Sequence, residues 1–169
     1  MGDHKVHLAK DKKERGSFIK HLIKDIDALE YLFEHNLIER EPIRIGAEQE
    51  FCLVDDNWRP AKNGVEILKA VKDDHFTTEL AAFNLEINLD PFELKDSAFS
   101  DMADQLKGFL SHAEKVAAKH GSKIVLSGIL PSISEDEISL EYMTPNPRYY
   151  ALNDRMKELR GSDFRMLLS

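Results

Sequence analysis

Two segments with a two-residue rhythm, RIGAEQEFCLV at 44–54 and NLEINLD at 84–90, limit the possible folds more than anything else in the chain. Residues i and i+2 of an extended segment share a side. Glu48 and Glu50 therefore project together with Gly46 and Cys52, while Ile43, Ile45, Ala47, Phe51 and Leu53 point the other way. In the second segment Leu85, Ile87 and Leu89 alternate with Asn84, Glu86, Asn88 and Asp90. Each strand is oily on one side and acidic or amidic on the other, so each needs apolar cover on one face only.

The remaining segments supply that cover. The stretch from Ser17 to Asn36 repeats apolar residues at helical spacing from Phe18 to Phe33, with Ser17 as its expected N-cap. Its stripe requires burial against the rest of the chain or a second copy. A longer helix is expected from Asp96 or Ser97 to His120, with Phe99, Met102, Leu106, Phe109, Leu110, Ala113, Val116 and Ala117 facing inward and Gly121 after its end. Pro91 ends the second strand by removing a ladder donor. KIVLSGILP (123–131) reads as a further strand, SEDEISLE (134–141) as a loop or edge, and RYYALNDRMKELRG (148–161) as a helix ending at Gly161. Residues 65–72 fit either a short helix or a short strand. The fold expected is α+β, a mostly antiparallel sheet backed by helices. Residues 1–40 are expected to form a charged lead and an amphipathic helix, and residues 41–169 a separate catalytic portion.

Charge narrows the partners. With 31 acidic against 23 basic side chains the formal charge is -8, which argues against a nucleic acid or an anionic membrane as the main partner and in favour of cations or anions that arrive with cations. The one cysteine, Cys52, cannot form an internal disulfide, and the charged opening MGDHKVHLAKDKKERG has no apolar core of a secretion signal. A cytoplasmic protein is expected.

Same-side residues two apart on a strand lie about 6.5–7 Å from one another, and side chains facing across a ladder about 5 Å. If the two acidic strands are neighbours, Glu48, Glu50 and Glu86 converge. A pair of carboxylates 4 Å apart repels by about 4 kcal/mol at an effective dielectric near 20. A divalent cation removes that repulsion, and magnesium, which takes oxygen ligands and completes its shell with water and phosphates, suits such a face. ATP is the phosphorylated ligand expected there, with Asn84 and Asn88 able to orient the shell. Alternatively, glutamates on the solvated side of a strand serve solubility alone. His75 reads as a surface histidine, Cys52 as a packed, inert thiol, and Glu135, Asp136 and Glu137 as a solvated acidic run without calcium-loop spacing.

Three blocks in order resemble the family 2 glutamate-cysteine ligases, also called carboxylate-amine ligases. IGAEQEFCLVD (45–55) is similar to the family's G-x-E-x-E-x-x-L-V-D signature, TTELAAFNLEINLDP (77–91) to its second block, and MTPNPRYYALNDRM (143–156) to its third, in which an Arg-Tyr pair opens a helix. The resemblance implies a glutamine synthetase-like fold, an antiparallel sheet curled into a funnel whose inner wall holds magnesium. It implies that the γ-carboxylate of glutamate attacks the terminal phosphoryl group of ATP, and that an amine such as cysteine then displaces phosphate from the acyl phosphate. Carried over position by position, Glu48, Glu50, Glu79 and Glu86 match metal-binding residues. Glu86 is also a candidate catalytic residue, as is Arg148, which matches the arginine of the third block and is a candidate for contact with nucleotide or substrate. Family members continue well beyond the point where this sequence stops. The expectation is therefore an incomplete half of the funnel, inactive alone and assembling as a homo-oligomer. The rival readings are a non-catalytic, ligase-like binding or oligomerisation module, and a plain metal-binding or structural α+β protein.

Overall fold

A computed structural model describes residues 11–161. Its centre is a four-stranded antiparallel sheet in the order β3-β4-β2-β6, built from β2 (Glu48–Val54), β3 (Phe76–Thr78), β4 (Asn84–Asn88) and β6 (Lys123–Val125). A second, two-stranded sheet pairs β1 (Arg44–Ile45) with β5 (Phe92–Glu93). The 44–54 segment is thus two strands, interrupted at Gly46 and Ala47. At the interruption Leu89 donates to the Ala47 carbonyl at 2.9 Å, which keeps the two chain segments side by side between one sheet and the other.

The oily side of β2 and β4 forms the core. Phe51, Leu53, Leu85 and Ile87 are fully buried against Ile67 and Val71 of α2 (Gly64–Val71) and Ala113, Val116 and Ala117 of α3 (Ala98–Lys119). Residues 64–71 are helical because Ile67 and Val71, four apart, reach the core together. Gly64 starts that helix where a Cβ would lie 2.7 Å from the Ala82 carbonyl oxygen, so the close approach of α2 to the β3–β4 hairpin excludes a side chain there.

Several expectations are corrected. The first helix, α1 (Lys12–Glu34), begins before Ser17, because Asp11 accepts hydrogen bonds from the Lys13 and Glu14 amides at 2.8 and 2.9 Å. Its stripe is not covered within the described chain, since α1 has no buried residue. Phe99, placed on the inner side of α3, is 71% exposed, because the α3 side chains that pack on the core begin at Leu106, about two turns further along. The strand expected over 123–131 shrinks to Lys123–Val125. The acidic stretch after it forms two short 3-10 turns, Glu135–Glu137 and Leu140–Tyr142. The last helix, α4 (Pro147–Arg160), matches its expectation, with Asn146 as cap, Pro147 in the first turn and Gly161 at φ 71° past its end. Residues 1–10 and the C-terminal SDFRMLLS lie outside the described residues, and most of the expected charged lead falls there.

The other face of the sheet is divided. Near β6, Cys52 and Val54 pack with Phe83 and Leu130 in a second apolar cluster. Towards β3 that face is polar.

Candidate metal centre

The register sets the polar end. Glu50 pairs with Glu86, Glu48 with Asn88 and Cys52 with Asn84, and β3 adds Thr77 opposite Glu86. Glu79, two residues past Thr77, continues on the same side. As a result one carboxylate oxygen from each of Glu50, Glu79 and Glu86 lies within 4.8 Å of the other two. Glu86 is buried at 8% exposure and accepts a hydrogen bond from Asn88 Nδ2 at 2.7 Å. Glu79 is half-buried, and Glu50 is exposed at the open side. Glu48, exposed and two ladder pairs further along, stands outside this group.

The cluster bears the electrostatic mark of crowded acids. Burial first, then contact with Glu86 and the negative charge of Glu50, raise the Glu79 pKa above the usual carboxylate value, against a smaller opposing effect of the Leu80 amide. Beside the cluster opens a cavity of about 740 Å³, lined by Glu50 and Glu79 at one end and by Phe83, Tyr142, Leu152 and Met156 along an apolar wall. Asn84, another lining residue, carries the buried side-chain oxygen, Oδ1, that lacks a partner among the described residues. Such groups are rare in folded proteins and suit a site completed by a ligand or water.

The third sequence block forms part of the site. Thr144 Oγ1 donates to the Glu79 carbonyl at 2.5 Å, the Thr144 amide to the Leu80 carbonyl at 2.8 Å, and Tyr149 Oη to the Thr78 carbonyl at 3.1 Å. Burial and the charge of Glu79 push the Tyr149 phenol pKa up. Arg148, next to it, is exposed and does not line the cavity; its amide donates to Asn146 Oδ1 at 3.0 Å. Tyr142 and Lys157, both at the cavity, are not singled out by the sequence, and Tyr149, also there, is marked only as the tyrosine of the Arg-Tyr pair.

Two carboxylates from neighbouring strands and a third from the adjoining loop make an all-oxygen group of the kind that a hard divalent cation takes. The α+β architecture, antiparallel sheets backed by helices, is consistent with a glutamine synthetase-like fold. The model of glutamate-cysteine ligase family 2 matches residues 44–168, and the chain belongs to that family. No curated protein and no solved structure matches it. Among the described residues no helix is long and apolar enough to cross a membrane.

Proposed function

We propose that this chain carries the magnesium-binding part of an ATP-dependent ligase that joins the γ-carboxylate of glutamate to an amine such as cysteine. The observation that carries this reading is the meeting of Glu50, Glu79 and Glu86, drawn from two of the family blocks, beside a cavity walled by the third. Glu50, Glu79 and Glu86 would hold the cation, with Asn84 Oδ1 as a neutral donor to its shell. Glu48, outside that group, would face incoming ligand or solvent. When bound, magnesium would neutralise the nucleotide phosphates, where most of the catalytic effect of phosphoryl transfer lies.

The chain's own groups then have separate tasks. Asn88 holds the Glu86 carboxylate by donating to it, so that its second oxygen keeps a fixed direction. The apolar wall excludes water from the reacting carboxylate, protecting an acyl phosphate until the amine attacks carbon and phosphate leaves. Arg148, at the start of α4, is free to meet a phosphate or a substrate carboxylate from solvent. On this reading residues 41–169 are catalytic-domain sequence and residues 1–40 precede it.

A second reading has its own observation. Glu50, Glu79 and Glu137 give the cavity lining more negative than positive charge, with Lys157 as the basic side chain among the described lining residues. That favours a cation over a polyphosphate and fits a binding module without turnover. The experiment that separates the two is ATP-dependent phosphate release by the full-length parent protein, with magnesium, glutamate and a panel of amines, in wild type and Glu86→Gln. The ligase reading expects release that depends on both glutamate and amine and falls at least a hundredfold in the variant. Cation binding without release supports the module, and release unaffected by Glu86→Gln contradicts the assigned role of Glu86.

A further inference from the structure

Two of the three clustered acids are placed by the ladder, and the third is not. Glu50 and Glu86 face one another in the β2–β4 register. β3 stops at Thr78, so Glu79 stands at the first position of the connection to β4, where its amide reaches the Asn84 carbonyl only at 3.4 Å. A bond that long is outside the usual range and restrains the backbone weakly. Even so, Glu79 keeps one carboxylate oxygen within 4.8 Å of those of both neighbours.

The third family block supplies the missing restraint. Tyr149 Oη donates to the Thr78 carbonyl at 3.1 Å, and Thr144 Oγ1 to the Glu79 carbonyl at 2.5 Å. These carbonyls belong to the two peptide groups on either side of the Glu79 Cα. A peptide group is planar and leaves each residue two soft dihedrals, so holding both planes fixes the direction in which the Glu79 side chain leaves the backbone. The Thr144 amide extends the contact to the Leu80 carbonyl at 2.8 Å, and Ala81 pairs with Met143 in an antiparallel bridge. The two hydroxyls are themselves held. Thr144 is 3% exposed. Pro145 and Pro147 stiffen the turn that follows it, and Asn146 caps α4 by accepting from the Arg148 amide, which sets Tyr149, in the first turn of α4, at a fixed reach from Thr144.

We propose that Thr144 and Tyr149 are positioning residues for the cation site, acting through Glu79 by holding the peptide groups on both sides of it. The inference rests on the cation site proposed above. Each hydroxyl is engaged by a backbone oxygen, so its effect on the cation is indirect, like that of any group that orients a metal ligand. It gives the third block a task that does not pass through Arg148, which lies outside the cavity lining.

The test is manganese binding by the full chain, followed by electron paramagnetic resonance, with circular dichroism and chemical denaturation to show that each variant is folded. Thr144→Val removes a hydroxyl at nearly constant volume, and Tyr149→Phe removes the other at a half-buried site where folding is less at stake. Each is expected to weaken binding about tenfold, the scale on which partners of metal ligands act. Thr144→Ser keeps the donor and should bind as wild type does. In a chain that already carries Glu79→Gln, adding Thr144→Val or Tyr149→Phe should cost little more, because both act through the same ligand. Folded variants that lose stability but bind manganese as wild type does would overturn the proposal and leave the hydroxyls a structural role. An undiminished further loss in the Glu79→Gln chain would also overturn it, by showing that they act elsewhere. No saturable binding by the folded wild type would bring down the cation site itself, whereas wild-type binding with indifferent variants removes only the positioning role.

Discussion

The two faces of the β2–β4 pair are made from the same two strands and could hardly be more different. On one, Phe51, Leu53, Leu85 and Ile87 are fully buried and covered by α2 and α3. On the other, Glu50 and Glu86 face one another, Glu79 joins them, and an amide oxygen lies buried without a partner among the described residues. The first face is complete within the chain. The second brings like charges together, at a cost that a bound cation would offset. Stability and function are therefore separated by strand parity, since a side chain's position, odd or even, decides which it serves.

The largest effect should come from breaking the complete face. Phe51→Ala removes a fully buried ring and is expected to cost about 3–5 kcal/mol in chemical denaturation, close to all that a domain of this size has to spare. Gly64→Ala tests how tightly α2 is pressed against the hairpin. With a Cβ 2.7 Å from a backbone oxygen, it should cost about 1–3 kcal/mol by the same measurement, through overpacking.

A third prediction concerns the rim between the faces. His75, its ring tilted against Phe109 at 4.5 Å, sits between Asp73 (2.7 Å) and Asp90 (3.2 Å), and Gln105 of α3 holds Asp90 in turn. Hydrogen bonds to Asp73 and then Asp90 raise the His75 pKa; those from His75 lower both aspartates. A raised histidine stabilises the fold fully below its unfolded pKa and loses that contribution as pH rises through its folded value. The lowered aspartates contribute above their unfolded pKa and lose it as pH falls through their folded values. The clip is thus strongest between the unfolded values, roughly pH 4 to 6.5. His75→Gln should flatten this part of the stability profile by less than about 1 kcal/mol, because the pair is partly exposed.

The smallest effect belongs to the acidic face. The raised pKa of Glu79 means that its stabilising contribution is present below the ordinary carboxylate value and is lost as pH rises through the folded value. Glu79→Gln should therefore leave the metal-free protein as stable at neutral pH or more so, by about 0.5 kcal/mol. A mutation that removes a charge from the sheet and does no harm there would sharpen the contrast with Phe51→Ala.

Much of this contrast is legible in the sequence. Alternation alone assigns Phe51, Leu53, Leu85 and Ile87 to one side and Glu50 and Glu86 to the other, and the family resemblance names Glu79. The register is not legible, because period two fixes the side but not the neighbour. It therefore takes the ladder to set Glu86 opposite Glu50 and to leave Glu48 beside Asn88. The cavity wall is equally hidden, since Tyr149 and Met156 share helical spacing with residues that pack elsewhere. His75 reads as a surface residue because its two partners, Asp73 and Asp90, stand 17 positions apart in sequence. The start of α1 is ambiguous because Ser17 and Asp11 are both good caps, and only hydrogen bonds distinguish them.

The central claim is that Glu50, Glu79 and Glu86 jointly hold a divalent cation, and manganese titration followed by electron paramagnetic resonance tests it most directly. The account predicts saturable binding that competes with magnesium, weakens at least tenfold in each of Glu50→Gln, Glu79→Gln and Glu86→Gln, and changes little in Glu48→Gln. Equal binding by wild type and all three variants, or no saturable binding by the folded wild type, would contradict it.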